Sequence, residues 1–78
     1  MTEQEKLKTR IIIAKSIGIS PDSIDVVSEK NIDLYFVDFK DIIVGVGYDA
    51  VPTIKEARDD IKDCYLVGCE WDFEEDMK

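Results

Sequence analysis

Asp59, Asp60 and Asp63 fall three and four residues apart within a stretch of helical pattern, a spacing that sets their carboxylates on one side of a helix. Five more acids follow, Glu70, Asp72, Glu74, Glu75 and Asp76, interleaved with Trp71, Phe73 and Met77. Carboxylates in such number can trade protons, hold a metal or meet cations on another molecule. Proton trade and nucleophilic attack have little to build on, because the chain has no His and no Ser or Cys in an activating motif. Cys64 and Cys69 stand at a spacing that fits no zinc pattern, and without His or a second Cys pair they cannot complete four ligands. Asp72, Glu74 and Asp76 alternate as calcium ligands do, yet the glycine and terminal glutamate of an EF-hand loop are missing. Val44-Gly45-Val46-Gly47-Tyr48 lacks the Lys-Ser pair and helix start of a phosphate loop, so its glycines read as a bulge or a close packing point. We expect neither an enzyme nor a cofactor or metal site.

Meeting cations is the remaining chemistry. Each like-charge pair at these helical spacings costs roughly 0.2–0.5 kcal/mol, and a basic residue would have suited the end of the helix better than Asp63. One account is a solvated acidic face kept for solubility; the sharper one is a surface for a basic protein. A solubilising tail has no need of Trp71 and Phe73. They could anchor an interface that the flanking acids orient, or Trp71 could fold back to close the core. The candidate partner-binding set is therefore Asp59, Asp60, Asp63, Glu70, Trp71, Asp72, Phe73, Glu74, Glu75 and Asp76.

The charge distribution supports that choice. Residues 1–20 carry a net charge of +2, and residues 21–78 carry sixteen acids against six bases. Such a surface repels nucleic acid and anionic membranes and attracts basic proteins. The length of 78 residues suits one domain, residues 1–78, with residues 68–78 as an acidic C-terminal segment. At 45% apolar content the body is globular. The start has no apolar run of a signal peptide, and two cysteines without export signals suit reduced thiols. We expect a cytoplasmic protein; a virus or mobile element inside a host cell is an equally compatible source.

The elements that must position these residues are bounded by local chemistry. Thr2 and Glu5 have capping-box spacing, and Leu7, Ile11, Ala14 and Ile17 follow as one helical face widened by Ile12 and Ile13. Gly18 and Ser20-Pro21 stop that helix, placing it at about 3–17. Ser20 to Ser23 reads as a capped turn. Strands are expected over 24–28, 32–39 and 42–48, with turns at Glu29-Lys30-Asn31 and Lys40-Asp41, forming an antiparallel meander. A second capping box, Thr53 and Glu56, opens a helix that ends near Gly68, with Ile54, Ala57, Ile61, Cys64 and Tyr65 facing inward. Residues 69–78 form a third short helix or a tail. The order is α-β-β-β-α, an α+β fold with a three-stranded antiparallel sheet flanked by helices.

On the second strand Ile32, Leu34 and Phe36 point one way, and Tyr35, Val37 and Phe39 the other. Both faces are thus partly apolar, although a sheet backed by helices on one side usually keeps the other polar. Coverage by the acidic segment, a second copy or a partner would account for this, and self-association predicts that Tyr35→Glu or Phe39→Glu disrupts a dimer.

The element order resembles the double-stranded-RNA-binding fold, but that fold's second helix presents basic residues to phosphates, where this chain has Asp59, Asp60 and Asp63. Size, acidity and element order together resemble small phage-encoded inhibitors, including some anti-CRISPR proteins and other DNA mimics. That resemblance implies carboxylates standing in for phosphates in a basic cleft. Duplex DNA carries one charge per ~3.4 Å of helix axis on each strand, and carboxylates at i and i+4 on a helix lie ~5–6 Å apart at Cβ, so flexible acids can meet a phosphate-binding row without copying its geometry. The expected function is inhibition of a basic, nucleic-acid-processing protein, as an anti-CRISPR-like or nuclease-immunity protein. The alternative is an assembly module that self-associates through its apolar sheet face.

Overall fold

The computed structural model describes residues 2–68, with side chains described as far as residue 64. The elements are α1 (Glu3–Ile17), a 3-10 turn (Pro21–Ser23), β1 (Ile24–Ser28), β2 (Asp33–Phe39), β3 (Ile42–Tyr48) and α2 (Ile54–Gly68). This is the expected α-β-β-β-α order, with β2 starting one residue later than its apolar run. The acidic segment after Gly68 lies outside the described residues.

Local chemistry sets the boundaries. The Thr2 hydroxyl accepts from the Glu5 N–H at 3.2 Å, and the Glu5 carboxylate accepts from the Thr2 N–H at 3.0 Å, closing the capping box. Gly18 ends α1 at φ 70°, a left-handed position that glycine takes without steric cost, and its N–H donates to the Ala14 carbonyl. Ser20 caps the 3-10 turn by accepting from the Asp22 N–H at 3.3 Å. Thr53 caps α2 in the same way, accepting from the Glu56 N–H at 3.1 Å.

The sheet runs β1-β2-β3, antiparallel throughout. Its register aligns Val26, Tyr35 and Val46 in one row, and Ile24, Val37 and Val44 in the next. Both rows lie on the inner face with Phe39, and α1 and α2 supply Ile13, Ala14, Ile17, Ala57 and Ile61 to the same core. Fully burying each of the larger of these side chains contributes roughly 1.5–3 kcal/mol.

Three expected orientations are corrected. Tyr35 and Phe39 belong to the core, so the open face of the sheet is the one carrying Ile32, Leu34 and Phe36. On α1, Leu7 is 55% and Ile11 37% exposed, while Thr9, Ile13, Ala14, Ser16 and Ile17 are buried. The helix is rotated from its apolar pattern because Thr9 and Ser16 enter the core with their hydroxyls satisfied. Thr9 donates to the Glu5 carbonyl at 2.8 Å and Ser16 to the Ile13 carbonyl at 2.7 Å. On α2, Ala57 and Ile61 face inward as expected, but Ile54 and Cys64 are exposed. Ile54 is the first residue of α2, and Cys64 opens onto a groove.

Candidate functional site

That groove runs between α2 and β3. Its volume is about 340 Å³, and Gly45, Val46, Gly47, Asp60, Asp63 and Cys64 line it. Three local causes shape it: the turn that aims β3, the two glycines, and the flank of α2.

Lys40 and Asp41 join β2 to β3 with φ of 53° and 66°. Positive φ at both central residues of a two-residue loop is the type I′ hairpin, whose twist matches that of the strands. The loop is closed by the pair Phe39 and Ile42. In such a hairpin the closing pair is hydrogen-bonded, and bonded pairs then alternate along the ladder. Ile42, Val44, Val46 and Tyr48 therefore bond to β2, whereas Ile43, Gly45 and Gly47 turn their backbone N–H and C=O groups away from it. Among the described residues β3 has no strand neighbour other than β2, so those groups face the open edge.

The glycines are points of close packing on the outer face, in keeping with their structural reading. A Cβ at Gly47 would stand 2.8 Å from Ile32 Cδ1, and one at Gly45 would stand 3.3 Å from Phe36 Cε1. Phe36 and Ile32 thus lie across β3 in place of the missing side chains.

On the α2 flank, Asp60 accepts a hydrogen bond from the Tyr48 hydroxyl at 2.9 Å. Burial first, then that bond and the Asp60 charge, raise the Tyr48 pKa well above the usual phenol range. Burial, and then Asp60 and Asp63, also push the Cys64 thiol up. Both groups keep their protons at neutral pH, and a thiol held in this form is a poor nucleophile. The groove therefore presents two carboxylates, a neutral thiol and open backbone. Among the described residues no group of three His, Cys, Asp or Glu is placed to hold a metal.

Asp59, Asp60 and Asp63 are all exposed, as expected. Asp60 and Asp63 come together on the groove wall, while Asp59 is not part of its lining. Glu70, Trp71, Asp72, Phe73, Glu74, Glu75 and Asp76 lie outside the described residues. The strand edge itself, Tyr48 and Cys64 were not singled out from the sequence as site residues; the glycines at alternate positions opposite bulky β2 residues were the available signal.

Two other surfaces compare with the groove. A hollow of similar volume is lined by Glu3, Lys6, Leu7, Arg10 and Val26. There Lys6 pairs with Glu3 at 3.3 Å, and Arg10 donates from one Nη to the Pro21 carbonyl at 3.0 Å while its buried Nε has no hydrogen-bond partner among the described residues. The outer sheet face exposes Val27, Ile32, Phe36 and Ile43, the last at 72%. No described helix is long and apolar enough to cross a membrane. Comparison of the chain with protein-family models, with curated proteins and with solved structures returned no match.

Proposed function

We propose that this chain is a non-enzymatic inhibitor that binds a basic, nucleic-acid-processing protein and occupies its cationic surface in place of nucleic acid. The observation that supports this most is the groove wall: Asp60 and Asp63 stand exposed side by side, and among the described residues no Lys or Arg lines the groove with them. With a net charge of −8 the whole molecule steers toward cations, and the wall gives that attraction a place to act. The test is capture from the source lysate, elution by a salt gradient and a displacement assay on the recovered protein. A basic protein released as salt rises, and losing its bound nucleic acid to this chain but not to a variant carrying Asp59→Lys, Asp60→Lys and Asp63→Lys, supports the reading. Displacement that survives the triple variant contradicts it.

A second reading, self-association, is favoured by the exposed outer-face residues Ile32, Phe36 and Ile43. It predicts a concentration-dependent dimer in sedimentation that Phe36→Glu dissolves and salt leaves unchanged. A strict monomer at high concentration excludes it.

A further inference from the structure

We infer that the open edge of β3 is a strand-addition site for an extended segment of the partner protein with alternating basic and apolar residues. The inference rests on the acidic-inhibitor reading for the partner's charge and on backbone geometry for its mode of docking.

The I′ turn sets the alternation that points the N–H and C=O groups of Ile43, Gly45 and Gly47 outward. A row of unpaired backbone groups is a template for another strand, and proteins usually guard such edges with Lys, Pro or a bulge. The β3 sequence Ile42-Ile43-Val44-Gly45-Val46-Gly47-Tyr48 contains neither Lys nor Pro, and its pairing with β2 runs without a break in register. Gly45 and Gly47 also leave no side chain to obstruct an approaching backbone.

Side chains on an added strand alternate between the two faces of the sheet. Those on the inner side enter the groove toward Asp60 and Asp63, where Lys or Arg finds its counter-charge. Those on the outer side reach the strip where Phe36 and Ile32 already lie over the glycines, an apolar neighbour for an apolar residue. Backbone bonds would supply affinity and these two rows specificity, the division of labour in strand-addition complexes.

Charge selects this occupant over two others. A second copy pairing through β3 would bring another Asp60 and Asp63 toward the same edge, with −8 on each molecule. The chain's own residues 70–76 are rich in acids and would add like charge to the groove.

The test uses the full chain, 15N-labelled, titrated with a synthetic peptide of four Lys-Val repeats in low salt. The expected result is that the amides of Ile43, Gly45 and Gly47 shift and gain roughly tenfold or more protection from hydrogen exchange. Ile43→Pro should abolish that protection without unfolding the sheet, because the N–H it removes faces away from β2 and Pro is tolerated on edges. Asp60→Lys with Asp63→Lys should weaken the peptide roughly tenfold or more. Shifts confined to α2 would overturn strand addition while leaving the acidic reading standing. Equal protection by a peptide of Thr-Val repeats would overturn the basic chemistry and retain the edge. Protection already present in the free chain would overturn the proposal by showing the edge occupied by the chain itself. No protection at millimolar peptide would overturn it outright.

Discussion

Asp63→Lys should make the free protein more stable while weakening its hold on a partner. Asp63 is exposed on α2, with Asp59 four residues and Asp60 three residues before it. Each like-charge pair at that spacing costs roughly 0.2–0.5 kcal/mol, and an acid preceding Lys at the same spacing gains a similar amount. Reversing one charge turns two repulsions into two attractions, a difference of about 1 kcal/mol once solvent exposure is discounted. Asp63 stands more than a turn before Gly68, so the helix dipole, which acts within the last turn, adds little. For a domain of this size about 1 kcal/mol corresponds to a rise of ~4–8 °C in Tm. The assay is a circular-dichroism melt of both proteins in low salt and again near 1 M, where the Debye length falls to about 3 Å. The gain should shrink in high salt. A variant that melts no higher than the parent in low salt, or whose gain ignores salt, would refute the reasoning. Stability lost by keeping an acid that a partner requires is the expected signature of a binding surface.

Alkaline stability should fall because of Tyr48. Its folded pKa lies above the unfolded value of ~10, so its contribution is complete below that pH and lost as pH rises toward the folded pKa. Tyr48→Phe should flatten the decline in Tm as pH rises above about 10. Lys40→Asn with Asp41→Gly, placed at the two positive-φ positions, should stabilise by about 1 kcal/mol by relieving the left-handed strain of the turn, measured by urea unfolding. Ile61→Ala, in the core, should cost ~2–5 kcal/mol. Ile11→Ala, on the exposed side of α1, should cost well under half of that in the same assay; equal costs would contradict the rotation assigned to the helix.

The boundaries of the fold were legible because short-range chemistry sets them. Thr2 with Glu5, Gly18, Ser20-Pro21 and Thr53 each close or open an element through bonds within a few residues. Orientation was less legible. Strand alternation shows that Tyr35, Val37 and Phe39 share a face, but with apolar residues on both sides it does not say which face the helices cover. On α1 the polar residues Thr9 and Ser16 disguise the buried side, because their hydroxyls are satisfied by carbonyls of the same helix. At the site, helical spacing put Asp60 and Asp63 together. The groove depends on tertiary placement of α2 beside β3, and the alternate glycines Gly45 and Gly47 were its one local sign in the sequence.

The central claim is that a basic partner docks against the groove between α2 and β3, and Cys64 offers a direct probe because it is exposed within the lining. With Cys69→Ser, a photo-crosslinker attached to Cys64 places the reactive group at that site, and a Cys64→Ser, Leu7→Cys variant carries it on exposed α1 as the control. Irradiation in the source lysate should join the Cys64 probe to a nucleic-acid-binding protein through a Lys- or Arg-rich segment, with excess unlabelled chain competing it away. Equal capture of that protein from Leu7→Cys, or capture of nothing but a second copy of the chain, would contradict the account.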